Sequence, residues 1–291
     1  MSQVLVSALP TAPVEGAWSR LRNKRSGVAG ALIITTFALL AILAATGLAG
    51  AGWSTGGAEP WAGASQAHWF GTNRLGQDIL ARAVHGSSVA FSVGLSVAAL
   101  ATALGAALGA IAGWRPQGWT DDMLGWLMGV LDSMPFYLFA AALAFAMRGN
   151  AWAMQLAMVA TFWTGTARLV RAEVMRLRER AFIDAARAIG LPGRLILWRH
   201  ILPNTAHLLL VQASLTFIAA IKTEVILSFL GLGVQEGVSW GLMLAESTQD
   251  VLAGHFGNFL AASGFLFLLL LGVNLVADAL QESYDVRGTA A

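Results

Sequence analysis

The chain has 291 residues, of which 57% are hydrophobic and only 12% charged, against roughly 25% charged in an ordinary soluble domain. With a mean hydropathy of +0.66 and apolar residues in long uninterrupted runs rather than amphipathic stripes, a soluble globule is excluded. Zero cysteines exclude disulfides, iron–sulfur clusters and thiolate metal sites, and the formal net charge of +2 comes from basic residues set between apolar runs, where membrane topology explains them better than nucleic acid does.

A bilayer core takes about 20 apolar residues in helical form, and six runs approach that length: 28–48, 89–112, 123–146, 152–167, 208–230 and 259–277. The expected fold class is therefore an all-α integral membrane protein of six transmembrane helices. The first run follows a basic segment, as a signal peptide would, but it exceeds the roughly 7 to 15 residues of a secretory core and reads as an uncleaved anchor. The short fourth run is expected to continue as helix past Arg168 and Arg171, whose side chains snorkel. Arg20, Arg22, Lys24 and Arg25 precede the first run, Arg115 joins the second and third, and eight arginines from Arg168 to Arg199 separate the fourth from the fifth. Only Arg74, Arg82 and Arg148 fall on the other side, so both termini are placed in the cytoplasm. Residues 1–27 are then a cytoplasmic segment, 49–88 and 231–257 external loops, 171–204 a cytoplasmic loop within a core of 89–280, and 281–291 a cytoplasmic tail.

In the first external loop, Leu75, Ile79, Leu80 and Val84 suit a short helix over 71–86 lying on the membrane surface. In the second, Trp240, Leu242, Met243 and Leu244 suit a helix or re-entrant turn against the bundle. Gly105, Gly109 and Gly113 share one face of the second span; they serve either a tight helix pair within the chain or a moving or dimerising face. Pro135 is expected to kink the third span, one turn after Asp132. Asp132, Lys222 and Glu224 are intramembrane ionisable groups and hence candidates for a substrate path. Lys222 and Glu224 come roughly 22 to 26 Å along the fifth span, near its external end, and point to different faces.

The motifs of membrane enzymes are missing. No HExxH occurs around the five histidines, no GxSxG elbow is present, and neither Lys24 nor Lys222 stands in a phosphate-binding loop. The chain is not expected to hydrolyse ATP. A self-sufficient secondary transporter or channel, or a scaffold that moves nothing, stays open on these grounds, although the arginine-rich loop has no evident task in the first.

That loop reads as two short helices about a glycine. Helical character runs to Ile189 with Asp184 within reach of Arg180 and Arg187, Gly190 ends it, a second helix starts near Pro192, and Pro203 marks a boundary before the fifth span. Asp184-Ala185-Ala186, Gly190, His200, Leu202 and Pro203 fall at the spacings of a Glu-Ala-Ala, Gly, Ile-x-Leu-Pro signature, which resembles the permease subunits of binding-protein-dependent ABC importers. His200 within Arg-His-Ile-Leu-Pro-Asn is similar to the dipeptide, oligopeptide and nickel branch. Phe70-Gly-Thr-Asn73, Gly76-Gln-Asp78 and Arg82, then Glu224, Leu227 to Gln235 and Ser239-Trp-Gly241, resemble its C-type permease. Trp126 and Gly129 depart from the family's Arg-x-x-Asp, and Asp285-Val-Arg287 from its Asp-Pro-Arg.

The resemblance implies a type I ABC importer permease fold in a bacterial or archaeal cytoplasmic membrane. It implies a second permease as heterodimer partner, two cytoplasmic ATPase subunits carrying ATP and Mg, and an external substrate-binding protein. Asp184, Ala185, Ala186, Gly190, His200, Leu202 and Pro203 become the ATPase-coupling loop, and Arg74, Asp78, Arg82 and Trp240 candidates for external docking. No cofactor or metal is expected on this chain. Peptides, nickel chelates or other small solutes are the implied cargo.

Overall fold

The computed structural model describes residues 24–147, 150, 152–233 and 237–285. Most of the amino-terminal segment with Arg20 and Arg22, Arg148, the motif's last residues Val234 and Gln235, and Val286 and Arg287 of the tail lie outside the described residues.

The described residues form helices and turns, with a single isolated β-bridge between Thr72 and Asp78. In chain order the helices are α1 (Arg25–Ala45), α2 (Ile79–Trp114), α3 (Trp119–Ser133), α4 (Phe136–Ala146), α5 (Ala153–Leu177), α6 (Ala181–Ala188), α7 (Gly193–Ile196), α8 (Leu202–Phe229), α9 (Trp240–Leu252) and α10 (Gly257–Asp285). A π-helical segment, Leu197–Ile201, joins α7 to α8. Among the described residues, α1, α2, the stretch Gly193–Phe229 and α10 are long and apolar enough to cross a membrane, and the bent pair α3 and α4 makes a fifth span if counted as one. Helix α5 falls short of that apolarity because Gln155, Thr161, Thr164, Thr166 and Arg168 punctuate it. It does continue past Arg168 and Arg171, to Leu177.

Helix α2 is the spine. A Cβ on Gly105 would stand 2.6 Å from Thr166 Cβ, one on Gly109 2.9 Å from Ala167 Cα, and one on Gly113 3.1 Å from Arg171 Cα. The glycine face thus meets the backbone of α5, the tight pair within the chain. On its other sides α2 receives Phe217 of α8 at Gly94 and Trp240 of α9 at Gly86. Helix α1 lies against α10, where Gly30 and Gly272 let the two backbones approach.

Two expectations are corrected and a third is refined. The surface helix over 71–86 does not form as a separate element: residues 71–78 are a turn, and α2 itself begins at Ile79 and runs 36 residues. The Asn73 side chain accepts from Leu75 N (3.0 Å) and Gln77 N (2.9 Å) and fixes the turn. Asp78 then caps α2 by accepting from Ala81 N at 2.7 Å, and nothing between Ile79 and Trp114 interrupts the ladder. Pro135 does not merely kink the third span but splits it into α3 and α4 at 95°. Pro203 marks a change of helix type rather than a break: it stands in the first turn of α8, directly after the π segment in which Leu202 N bonds Leu197 O, and the helix continues through it.

The glycine contacts predict an asymmetric response. Gly109→Leu drives side-chain atoms into the Ala167 backbone and destabilises the chain by about 1–3 kcal/mol. Gly125→Ala in α3, where nothing lies within 4 Å, is neutral or stabilising by up to about 1 kcal/mol. Thermal unfolding midpoints of both variants in detergent check the pair.

Candidate functional site

Helices α6 and α7 with the π segment form a knob at the end of the bundle where α2 and α5 terminate. Its inner side is apolar: Ile183 (0% exposed), Ala186 (6%), Ile196 and Ile201 pack with Ala106 and Ala110 of α2 and Val170 and Val174 of α5. Gly190 adopts φ +81° with open space around it, so its role is conformational, turning the chain from α6 into α7. Asp184 pairs with Arg187 at 3.1 Å rather than with Arg180, and Arg187 lies 5.7 Å over the Trp114 ring. Arg178 donates to Trp114 O at 3.2 Å, a second tie from the knob's root to the end of α2.

The outer side of the knob carries Phe182, Ala185, Ile189 and Trp198, all exposed. His200 and Leu202 are half-buried, and Pro203 is exposed. Of the signature's two alanines, Ala185 is on the outer surface and Ala186 is buried. Successive residues on a helix point about 100° apart, and here Ala185 faces outward while Ala186 turns toward the bundle.

Midway along the bundle, beside the break between α3 and α4, lies a cavity of about 360 Å³. Its polar lining comes from Asp132, Thr161, Thr164, Gln212 and Thr216, and its apolar lining includes Phe136 and Phe162. The two phenylalanine rings stack at 4.9 Å. Asp132 accepts a hydrogen bond from Thr164 Oγ1 at 3.2 Å and pairs with Arg168, which was expected only to snorkel. Lys222 is exposed one turn beyond Ala219, on the face of α8 that lines the cavity through Leu215 and Ala219.

Glu224 is not on this wall. It is 2% exposed and accepts from Ser228 Oγ at 2.5 Å, and Ser228 in turn lies 3.2 Å from Ser239 Oγ, the hydroxyl that caps α9. The carboxyl group anchors the loop before α9 to α8. Thr161, Thr164, Gln212 and Thr216 were missed in the sequence, although polar residues three or four apart inside apolar runs are the signal that a helix face lines something polar.

At the far end from the knob, two of the four docking candidates are internal. Trp240 is 1% exposed and donates from Nε1 to Ala83 O at 2.8 Å. Arg82, 3% exposed, is held by Glu246 at 2.6 Å and by Gln77. Both fasten α9 onto α2 and have no surface to offer a partner. Asp78 caps α2 and pairs with His68 Nδ1 at 2.8 Å, whereas Arg74 is exposed.

Residues 105–287, which include both the knob and the cavity, match the family described as binding-protein-dependent transport system inner membrane component. The chain is 33% identical to a dipeptide transport system permease protein of Alkalihalophilus pseudofirmus, over 94% of this chain and 90% of that protein. It is 38% identical to an oligopeptide transport system permease protein of Mycobacterium bovis over 75% of each. A glutathione transport system permease protein of Pectobacterium atrosepticum is 35% identical over 77% of this chain and 74% of its own length. Helices suited to crossing a bilayer, a knob bolted to α2 and α5 and a match over most of the chain agree: this protein belongs to the inner membrane components of binding-protein-dependent transport systems.

Proposed function

We propose that the chain is one of two permease subunits lining the translocation path of an ABC importer for peptides, with the knob as the element through which separate ATPase subunits drive it. The observation that carries this reading is the continuity of α5. Thr161 and Thr164 on this helix line the cavity, and Val170 and Val174 on the same helix hold Ile183 and Ala186 of the knob. About 20 Å of unbroken helix joins the two places, so displacement of the knob is passed to the cavity wall mechanically.

In this reading α1, α2, the bent α3 and α4, α5, α7 through α8, and α10 are the six spans. The arginine-rich knob faces the cytoplasm together with both termini. ATP and Mg act on the partner subunits, since this chain carries no phosphate-binding loop, and a binding protein delivers cargo at the opposite end. ATP-driven closure of the ATPase pair switches the bundle between two packings rather than making or breaking bonds in this chain. Peptides are supported by the names of the relatives and by the cavity, whose hydroxyls and amide bond peptide main-chain groups without demanding one side chain. Arg168, neutralised by Asp132, leaves the wall without a fixed net charge at that point.

Three substitutions test the mechanism. Wild-type chain purified in mild detergent from its native host is expected to bring ATPase activity with it, stimulated by loaded binding protein. Gly190→Val, which forces a β-branched residue to φ +81°, is expected to abolish that stimulation and peptide uptake while the subunits still co-purify. Ala185→Arg leaves the chain's own melting midpoint unchanged and prevents ATPase co-purification. Ala186→Arg instead places a charge in an apolar cluster and costs about 3 kcal/mol or more, read as a lowered midpoint of the chain alone. Full uptake and stimulated ATPase in both Gly190→Val and Ala185→Arg would refute the coupling role.

A further inference from the structure

At the end away from the knob, a second cavity of about 220 Å³, partly open to solvent, lies between the loop at 61–72 and the turn from α9 into α10. It is separate from the membrane cavity and shares none of its lining. Trp61, Thr72, Asp250, Phe256 and Asn258 form its wall. A water takes about 30 Å³ of liquid, so there is room for several waters or one small organic group.

Asp250 is 1% exposed. Its Oδ1 accepts from Trp61 Nε1 at 2.9 Å and its Oδ2 from Asn258 Nδ2 at 3.2 Å. Among the described residues no cationic side chain forms an ion pair with it: Arg82, within electrostatic reach, is committed to Glu246. Asn258, also 1% exposed, donates to Met243 O at 3.2 Å as well as to Asp250. Both partners are acceptors, which fixes the amide orientation and leaves Asn258 Oδ1 buried without a donor. A buried carboxylate with no direct ion pair among the described residues, Arg82 acting on it only from a distance, and a buried carbonyl without a donor thus belong to two residues that line one small cavity.

The complement is a group with one positive charge and several N–H donors. An ammonium has both, with three donors to divide among Asp250, Asn258 and water. The walls suit it as well: the Trp61 indole, held parallel to His255 at 4.9 Å, and Phe256 present aromatic surface beside the acceptors. A hard divalent cation would need about six oxygens, and no cluster of three ligating side chains occurs among the described residues.

We infer that this cavity binds a primary ammonium group in the transport cycle, supplied either by a lysine of the docked binding protein or by the amino terminus of the cargo. Its chemistry stands apart from the transport reading; only the choice between those two sources rests on it.

The first experiment uses the chain alone in lipid nanodiscs, titrated calorimetrically with propylammonium chloride at low salt and, separately, with 1-propanol as the neutral isostere. Saturable binding of propylammonium without binding of propanol is expected, weakened more than tenfold in Asp250→Asn. The wild-type comparison needs no variant and so stands even if Asp250→Asn folds poorly. Equal behaviour of the two probes, or no saturable binding, means that the cavity holds only water and overturns the inference. In the complete complex, a weaker docking constant for the binding protein in Asp250→Asn assigns the ammonium to a lysine of that protein. A raised KM for dialanine with no change for N-acetyl-dialanine assigns it to the cargo. No change in either overturns the place given to the site in transport, whatever the first experiment shows of ammonium binding.

Discussion

The close approach of α2 to α5 is the constraint on which the rest depends. Within a bilayer, lipid tails are as apolar as leucine, so helices are not driven together by escape from water and must instead gain from surface fit. Gly105, Gly109 and Gly113 provide that fit by removing side chains where the α5 backbone passes. The pair then acts as one beam. One end of it carries the knob and its middle borders the polar cavity, while the far end of α2 receives Trp240 and the Arg82–Glu246 pair. A beam this stiff would pass a displacement of the knob to the cavity without a wire of individual side-chain changes.

Several charged groups of the bundle are answered by a polar partner on another helix or, for Glu224, one turn along the same helix. Asp132 of α3 meets Arg168 and Thr164 of α5, Glu224 meets Ser228 beside the cap of α9, and Arg82 of α2 meets Glu246 of α9. Such pairs add little net stability, because desolvation offsets attraction. Their effect is to choose one arrangement of loops and helices among many apolar packings of similar energy.

Much of this was legible in the sequence, for reasons that differ from residue to residue. Four spans, and a fifth if the bent α3 and α4 count as one, were visible because a bilayer demands long apolar runs, and Gly190 because only a glycine readily takes the left-handed turn between α6 and α7. The start of α2 was misread because Leu75, Ile79, Leu80 and Val84 also fit a surface helix. What decided it was the side-chain bonding of Asn73 and the cap at Asp78, which periodicity does not register. Arg82 and Trp240 looked like surface groups because they follow or precede loops, and their burial depends on α9 folding back over α2, a long-range pairing that no local spacing encodes. Pro203 was legible as the start of α8, but the π segment that joins it to α7 without a break was not.

The break at Pro135 leaves the last carbonyls of α3 and the first amides of α4 without partners in their own helices. These groups stand beside Asp132 and Phe136, at the edge of the membrane cavity. Main-chain polarity of this kind is immune to side-chain exchange. Replacing Thr161, Gln212 or Thr216 can retune what the wall prefers, yet a baseline of hydrogen-bonding capacity remains wherever the chain changes direction. A cavity wall built this way can exchange its side chains over many substitutions without ever becoming wholly apolar.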